Sequence, residues 1–140
     1  MTAAAQLSAT ERHALCDALD DEYKSYATYA QVIADFGPER PFINIVEAEE
    51  RHFSALLALF AAYQITPPKD RWRDNAPRFA NLNAACLAAV QGEIDNVAIY
   101  DRALQSTTRA DILAVYRTLR EASLERHLPA FRRCTERGRR

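Results

Sequence analysis

The sequence predicts an all-α fold, a four-helix bundle with a long connection between its second and third helices. Three observations carry this prediction. Of the 140 residues 49% are apolar and only three are Gly, a composition that favours helix over strand. Apolar residues recur at three- and four-residue intervals in four separate stretches. Between the second and third stretches, residues 65–80 hold three of the six prolines, the only Trp (Trp72) and several charges, with no sustained period.

Ser8-Ala-Thr-Glu11 has the pattern of a capping box, with Leu7 just before it, so helix 1 is predicted to open near residue 9 and to close at Gly37-Pro38. Pro41 suits the first turn of helix 2, along which Ile45, Glu49, His52, Leu56, Leu59 and Tyr63 recur until Thr66-Pro67-Pro68 ends it. Extended at about 3.3 Å per residue, the following connection can return along a helix of about 36 Å, which would set helix 3 parallel to helix 2. Helix 3 is predicted from about Asn81 to Gln105. Helix 4 should run from about Thr108, where Thr108-Arg-Ala-Asp111 resembles a weaker capping box, into the 130s, with a kink at Pro129 just after His127. The whole chain, 1–140, reads as one domain, with the bundle at about 9–136. An internal echo supports the bundle: Glu22 precedes Tyr29 by the same interval as Glu93 precedes Tyr100, and Glu50-Arg51-His52 matches Glu125-Arg126-His127.

Helical periodicity places Leu15, Ala18, Leu19, Glu22, Tyr26, Tyr29 and Ile33 on one stripe of helix 1, and Cys86, Ala89, Val90, Glu93, Val97, Tyr100 and Leu104 on one stripe of helix 3. A carboxylate therefore sits in each apolar face. On helix 2, Glu49 and His52 project to one side and can ligate one metal ion, while Glu50 is rotated away. The helix 4 stripe Ile112, Tyr116, Leu119, Ser123, His127, Phe131 and Cys134 brings a second histidine to the centre. Such groups are costly to bury uncompensated. Two cations bridged by the carboxylates would offset the charge, and mixed oxygen and imidazole donors suit iron or manganese better than zinc or calcium. The candidate metal ligands are Glu22, Glu49, His52, Glu93 and His127; the alternative is a metal-free polar network. Tyr26, Tyr29, Tyr100 and Tyr116 are read as core, the alternative for the first three being to hydrogen-bond ligand carboxylates or relay electrons, and Cys16 and Cys86 are read as small buried hydrophobes. Asp20, Asp21, Glu47, Glu50 and Asp95 are read as lying on solvated faces or steadying a ligand from outside, with Asp95 the best placed to do the latter.

Glu22-Tyr-Lys24, the run Phe42-Ile-Asn-Ile-Val-Glu-Ala-Glu-Glu-Arg-His52, Glu93 with Asp95, and Ala122-Ser-Leu-Glu-Arg-His-Leu-Pro-Ala-Phe131 together resemble the ferritin-like di-iron carboxylate superfamily. The resemblance is nearest to the small ferritin-like domains labelled DUF2202 and covers residues from about 13 to 134. It implies a ferritin-like bundle with one crossover, one Glu from each of two helices and a Glu-x-x-His from each of the other two. Glu22, Glu49, His52, Glu93 and His127 fill all of that pattern except the carboxylate three residues before His127, where Leu124 stands. The resemblance further implies a dinuclear iron site, with manganese as the other metal, in an oxidoreductase acting on ferrous iron, oxygen or peroxide. Glu22 and His52 would lie near one ion, Glu93 and His127 near the other, and Glu49 would bridge, with an open position near Leu124. No rubredoxin-like Cys pairs are present, and no fifth helix suited to a storage shell is expected. The contrasting class is a non-enzymatic bundle, an interaction or stress protein with a structural or vestigial metal.

Eighteen basic residues against nineteen acidic ones give no field that would draw nucleic acid or an anionic membrane. The basic C-terminus, from Arg132 and Arg133 to Arg137, Arg139 and Arg140, reads as a solvated helix end. Three widely spaced cysteines without a Cys-x-x-Cys pair, and an N-terminus without a basic or apolar leader, suit a cytoplasmic protein. A homodimer is compatible with Trp72 in a proline-rich excursion.

Overall fold

Helix α1 begins where the capping box predicts. In the computed structural model, which describes residues 6–138, it spans Ala9–Phe36. Ser8 Oγ accepts from the Glu11 backbone N–H at 3.0 Å, and the Glu11 carboxylate accepts from the Ser8 N–H at 2.8 Å. The helix stops at Gly37, whose φ of 92° is open to glycine at little cost. Helix α2 spans Phe42–Ala62, with Pro41 at its N-cap rather than inside its first turn. Helix α3 spans Leu82–Ala103, capped by Asn81, whose side chain accepts from the Ala84 N–H at 2.8 Å. Helix α4 spans Ala110–Ala122, and α5 spans Leu128–Arg137. The described residues thus form an all-helical bundle, and none of its helices is long and apolar enough to cross a membrane. Residues 1–5, the stretch read as lacking a leader, and Arg139 and Arg140 of the basic terminus lie outside the described residues.

Side-chain pairs across the bundle fix the directions of the helices. Glu22 and Tyr29 of α1 meet Tyr100 and Glu93 of α3 in reverse order, so these two helices are antiparallel. Cys86, Glu93 and Asn96 of α3 meet Cys134, His127 and Ser123, again in reverse order. Residues 63–81 form no helix and lie along α1: Arg71 pairs with Asp20 at 2.8 Å and Arg78 with Asp35 at 2.6 Å. Trp72 is used within the chain, donating its indole N–H to Asp20 at 3.1 Å beneath the Lys24 and Arg71 side chains.

Helix 4 departs from expectation in two ways. The predicted box at Thr108 does not form; α4 starts at Ala110 with no side-chain cap, and Thr107 instead donates to Glu11 at 2.6 Å. Nor is the irregularity centred on Pro129. A π-helical turn, Ser123–His127, joins α4 to α5. Pro129 has no N–H to offer Glu125, and its ring clashes with that carbonyl in a regular helix; the inserted residue widens the turn just ahead of it.

Two apolar clusters fill the bundle. Leu15, Leu19, Leu56, Phe60, Tyr100 and Tyr116 anchor one, and Tyr29, Phe42, Ala89 and Phe131 belong to the other. Each fully buried Leu or Phe stabilises the fold by about 1.5–3 kcal/mol. Cys86 is buried as expected, but it is not a free hydrophobe: it is bonded to Cys134, tying α3 to α5. Cys16 is free.

Candidate metal centre

The ionisable groups on the four apolar stripes converge in the bundle interior. Glu22 is 0%, Glu49 1%, Glu93 1%, His127 4% and His52 7% exposed, so all five candidates read from the sequence are buried. They fall into two overlapping sets, Glu22, Glu49 and His52, and Glu49, Glu93 and His127, each with donor atoms within 4.8 Å of one another. Glu49 is common to both. His52 Nδ1 lies 3.4 Å from Glu22 and 3.8 Å from Glu49. His127 Nδ1 is hydrogen-bonded to Glu93 at 3.0 Å and lies 2.9 Å from Glu49 Oε1, outside hydrogen-bond geometry with it. The two imidazoles are stacked with centroids 5.3 Å apart.

Each helix brings its residue inward for a local reason. Glu22 and Glu93 follow the period of α1 and α3, and Glu49 and His52 share a face of α2 at three-residue spacing, while Glu50 is exposed as expected. On the last helix the π turn keeps Ser123 and His127 inside and turns Leu124 and Glu125 to solvent. Leu124 is 38% exposed, so it does not border an open position in the site. Ser123, inside as the helix 4 stripe predicts, donates its hydroxyl to Asn96 Oδ1 at 2.7 Å.

A ring of donors steadies the carboxylates. Tyr29 donates to Glu93 at 2.6 Å and Tyr100 to Glu22 at 2.7 Å, so these two tyrosines are core residues and partners of the candidate ligands at once. Burial, followed by the neighbouring carboxylates, pushes both phenols well above their ordinary value, so they remain donors. Tyr26 is half-buried against Phe53, and Tyr116 packs on Tyr100. Asn96 donates to Glu22 at 3.2 Å and to Asp21 at 2.7 Å. Asp21 is pushed up to about 7, by burial first, then by Glu22 and Glu93, against the pull of the Asn96 hydrogen bond. Asp95, the expected supporting residue, is instead exposed and bonded to Gln91. Asn96 and Ser123 are the supporting residues that sequence reasoning missed. The available signal was a polar side chain on an apolar stripe, Asn96 standing three residues after Glu93 and four before Tyr100.

The charge at this centre is not balanced by the chain. Among the described residues, the basic groups paired with Glu22, Glu49 and Glu93 are the two histidines alone, with no Lys or Arg. Burial raises Glu49 well above the ordinary carboxylate range, and the charge of Glu22 raises it further. Burial also opposes ionisation of Glu22, yet the neighbouring Glu49 and His52 and the hydrogen bond from Tyr100 bring it below that range. Three buried side-chain atoms of the centre, Glu22 Oε2, Glu49 Oε1 and His52 Nδ1, have no hydrogen-bond partner. An unsatisfied buried polar atom costs about 1–3 kcal/mol, and here two of the orphans, Glu22 Oε2 and His52 Nδ1, lie 3.4 Å apart. Carboxylate oxygens and imidazole nitrogens in this grouping are a donor set for first-row divalent metals.

Comparisons with solved structures agree with the fold. The chain is similar to a conserved hypothetical protein, rv2844, from Mycobacterium tuberculosis, with a TM-score of 0.80 at 19% identity over 91% of both chains. It is also similar to the hypothetical protein MJ0754 from Methanococcus jannaschii DSM 2661, with a TM-score of 0.86 at 20% identity over 99% of this chain and 86% of that one. At these identities the likeness concerns the fold alone. No protein-family model and no curated protein matches the sequence.

Proposed function

We propose that this chain is a ferritin-like metal-binding protein of the di-iron carboxylate kind, with residues 63–81 as its crossover, and that it acts as an oxidoreductase on ferrous iron with oxygen or peroxide. The observation that carries the reading is the set of unpartnered atoms Glu22 Oε2, Glu49 Oε1 and His52 Nδ1, buried in a site where three carboxylates have only two imidazoles as basic partners. Glu22 and His52 would hold one ion, Glu93 and His127 the other, and Glu49 would serve both. Iron fits the oxygen and nitrogen donors, and manganese fits them nearly as well. When bound, such a pair supplies Lewis acidity and two one-electron redox changes.

The chain's own residues do the rest. Tyr29 and Tyr100 hold Glu93 and Glu22 in place through their outer oxygens. Ser123 orients Asn96, and Asn96 bonds both Glu22 and the half-buried Asp21. Asp21, pushed up to about 7, is placed to hold or release a proton next to the buried carboxylates. The flanking apolar clusters keep bulk water from both sides of the polar layer.

Anaerobic ferrous titration, followed by addition of oxygen or hydrogen peroxide, tests the proposal. A saturable uptake and a new near-ultraviolet band on oxidation, both lost in a Glu49→Gln variant, are the expected results. Uptake without any change on oxidation would favour a structural metal instead.

A further inference from the structure

The Cys86–Cys134 pair lies on the same two helices as the Glu93–His127 pair, in matching register. Cys86 is seven residues before Glu93 on α3, and Cys134 is seven residues after His127 on the antiparallel strand of the bundle formed by the π turn and α5. Seven residues at 1.5 Å each place the sulfurs about 10.5 Å along the bundle from the carboxylate and imidazole. Both cysteines are buried, at 1% and 4% exposure. The space between is packed: Phe131 belongs to the same apolar cluster as both cysteines, its ring lies 5.0 Å from that of Tyr29, and Tyr29 donates to Glu93. A two-electron sulfur couple is thus joined to the site by continuous side-chain contact.

We propose that Cys86 and Cys134 are the electron donor of the centre, a dithiol that closes to the disulfide as peroxide is reduced there; this rests on the metal reading above. The step balances. Two S–H bonds break and one S–S bond forms, releasing two electrons and two protons. Hydrogen peroxide takes up both, its O–O bond breaks, and two water molecules result. A small thiol then restores the dithiol by exchange through a mixed disulfide. Cys16, which has no disulfide partner, takes no part.

The first test uses the metal-free chain. Dithiothreitol should reduce Cys86–Cys134 while the far-ultraviolet circular dichroism stays helical; reduction only after denaturant is added would overturn the inference and leave a structural staple. The second test gives one equivalent of hydrogen peroxide to the reduced protein, iron-loaded or metal-free, then quenches by alkylation and maps the cysteine peptides by mass spectrometry. The iron-loaded chain should form the Cys86–Cys134 peptide more than about tenfold faster, with Cys16 left alkylated. Equal rates in a chain that has taken up iron would overturn this inference alone, whereas a chain that takes up no iron would remove the metal reading with it. A Cys86→Ser variant should bind as much iron as the parent; loss of iron in a variant that remains helical would contradict the donor role by making the cysteine part of the site itself.

Discussion

Tyr29 donates a 2.6 Å hydrogen bond to Glu93 across the bundle, and the same relationship is returned when Tyr100 donates to Glu22 at 2.7 Å. Each tyrosine stands seven residues beyond the glutamate of its own helix and bonds the glutamate of the other. The α1/α3 face is therefore a two-fold arrangement in which each carboxylate has one phenol fixing an outer oxygen.

Removing either phenol should act on the metal more than on the fold. Tyr29→Phe and Tyr100→Phe are each expected to weaken ferrous binding by about 10–100-fold, by loosening a carboxylate that the hydroxyl orients. Competition with a chromophoric chelator measures this. A loss in one variant and none in the other would contradict equivalent roles.

Glu49→Gln should separate stability from function. Glu49 lies beside Glu22 and Glu93 with no Lys or Arg partner, so its neutral amide relieves repulsion in the metal-free chain. We expect a gain on the order of 1 kcal/mol in chelator-treated protein together with loss of metal uptake. Urea unfolding gives the first quantity and metal analysis the second. A Glu49→Gln chain that is less stable without metal would speak for a self-sufficient polar network.

Leu124 faces solvent because the π turn rotates it outward. Placing a carboxylate three residues before His127 with Leu124→Glu should therefore leave metal content unchanged and shift stability by no more than about 0.5 kcal/mol. Added metal affinity in this variant, measured by calorimetry, would place residue 124 inside the centre.

Acid should weaken the junction between α1 and the start of α4. Glu11 is held at about 2, below its ordinary 4.5, by the Thr107 hydroxyl first, then the Ser8 N–H and the Arg109 guanidinium, against a smaller opposing effect of burial. Its folded value is depressed, so its contribution is complete above about 4.5 and is lost as pH falls towards about 2. Thermal melts across this window should show a shallower acid decline for Glu11→Gln than for the parent, from a lower starting stability. Ser8→Ala, which removes the other half of the capping box, should cost about 1 kcal/mol near neutral pH.

Much of the fold was legible because its period is strong. Every residue assigned to the helix 4 stripe, from Ile112 to Cys134, is buried, and the spacing of Ser123, His127 and Phe131 carries the stripe through the π turn. The turn itself was not legible, and so Leu124 was misplaced: an i−3 rule presumes a regular helix. On α3 the apolar Val97 was preferred to Asn96, although only the latter is fully buried, because a hydrogen-bonded polar group was not anticipated on that face. The Cys86–Cys134 bond depends on long-range register between antiparallel helices. Once Glu93 and His127 are assigned to one site, counting seven residues back along α3 and seven forward along α5 finds both cysteines.

The central claim is that Glu22, Glu49, His52, Glu93 and His127 hold a pair of metal ions. Elemental analysis of the native protein by mass spectrometry, beside a Glu49→Ala, His52→Ala variant, tests it most directly. The account predicts about two iron or manganese ions per chain, lost in the variant. A chain that holds no metal, even after anaerobic loading with ferrous iron, would contradict it.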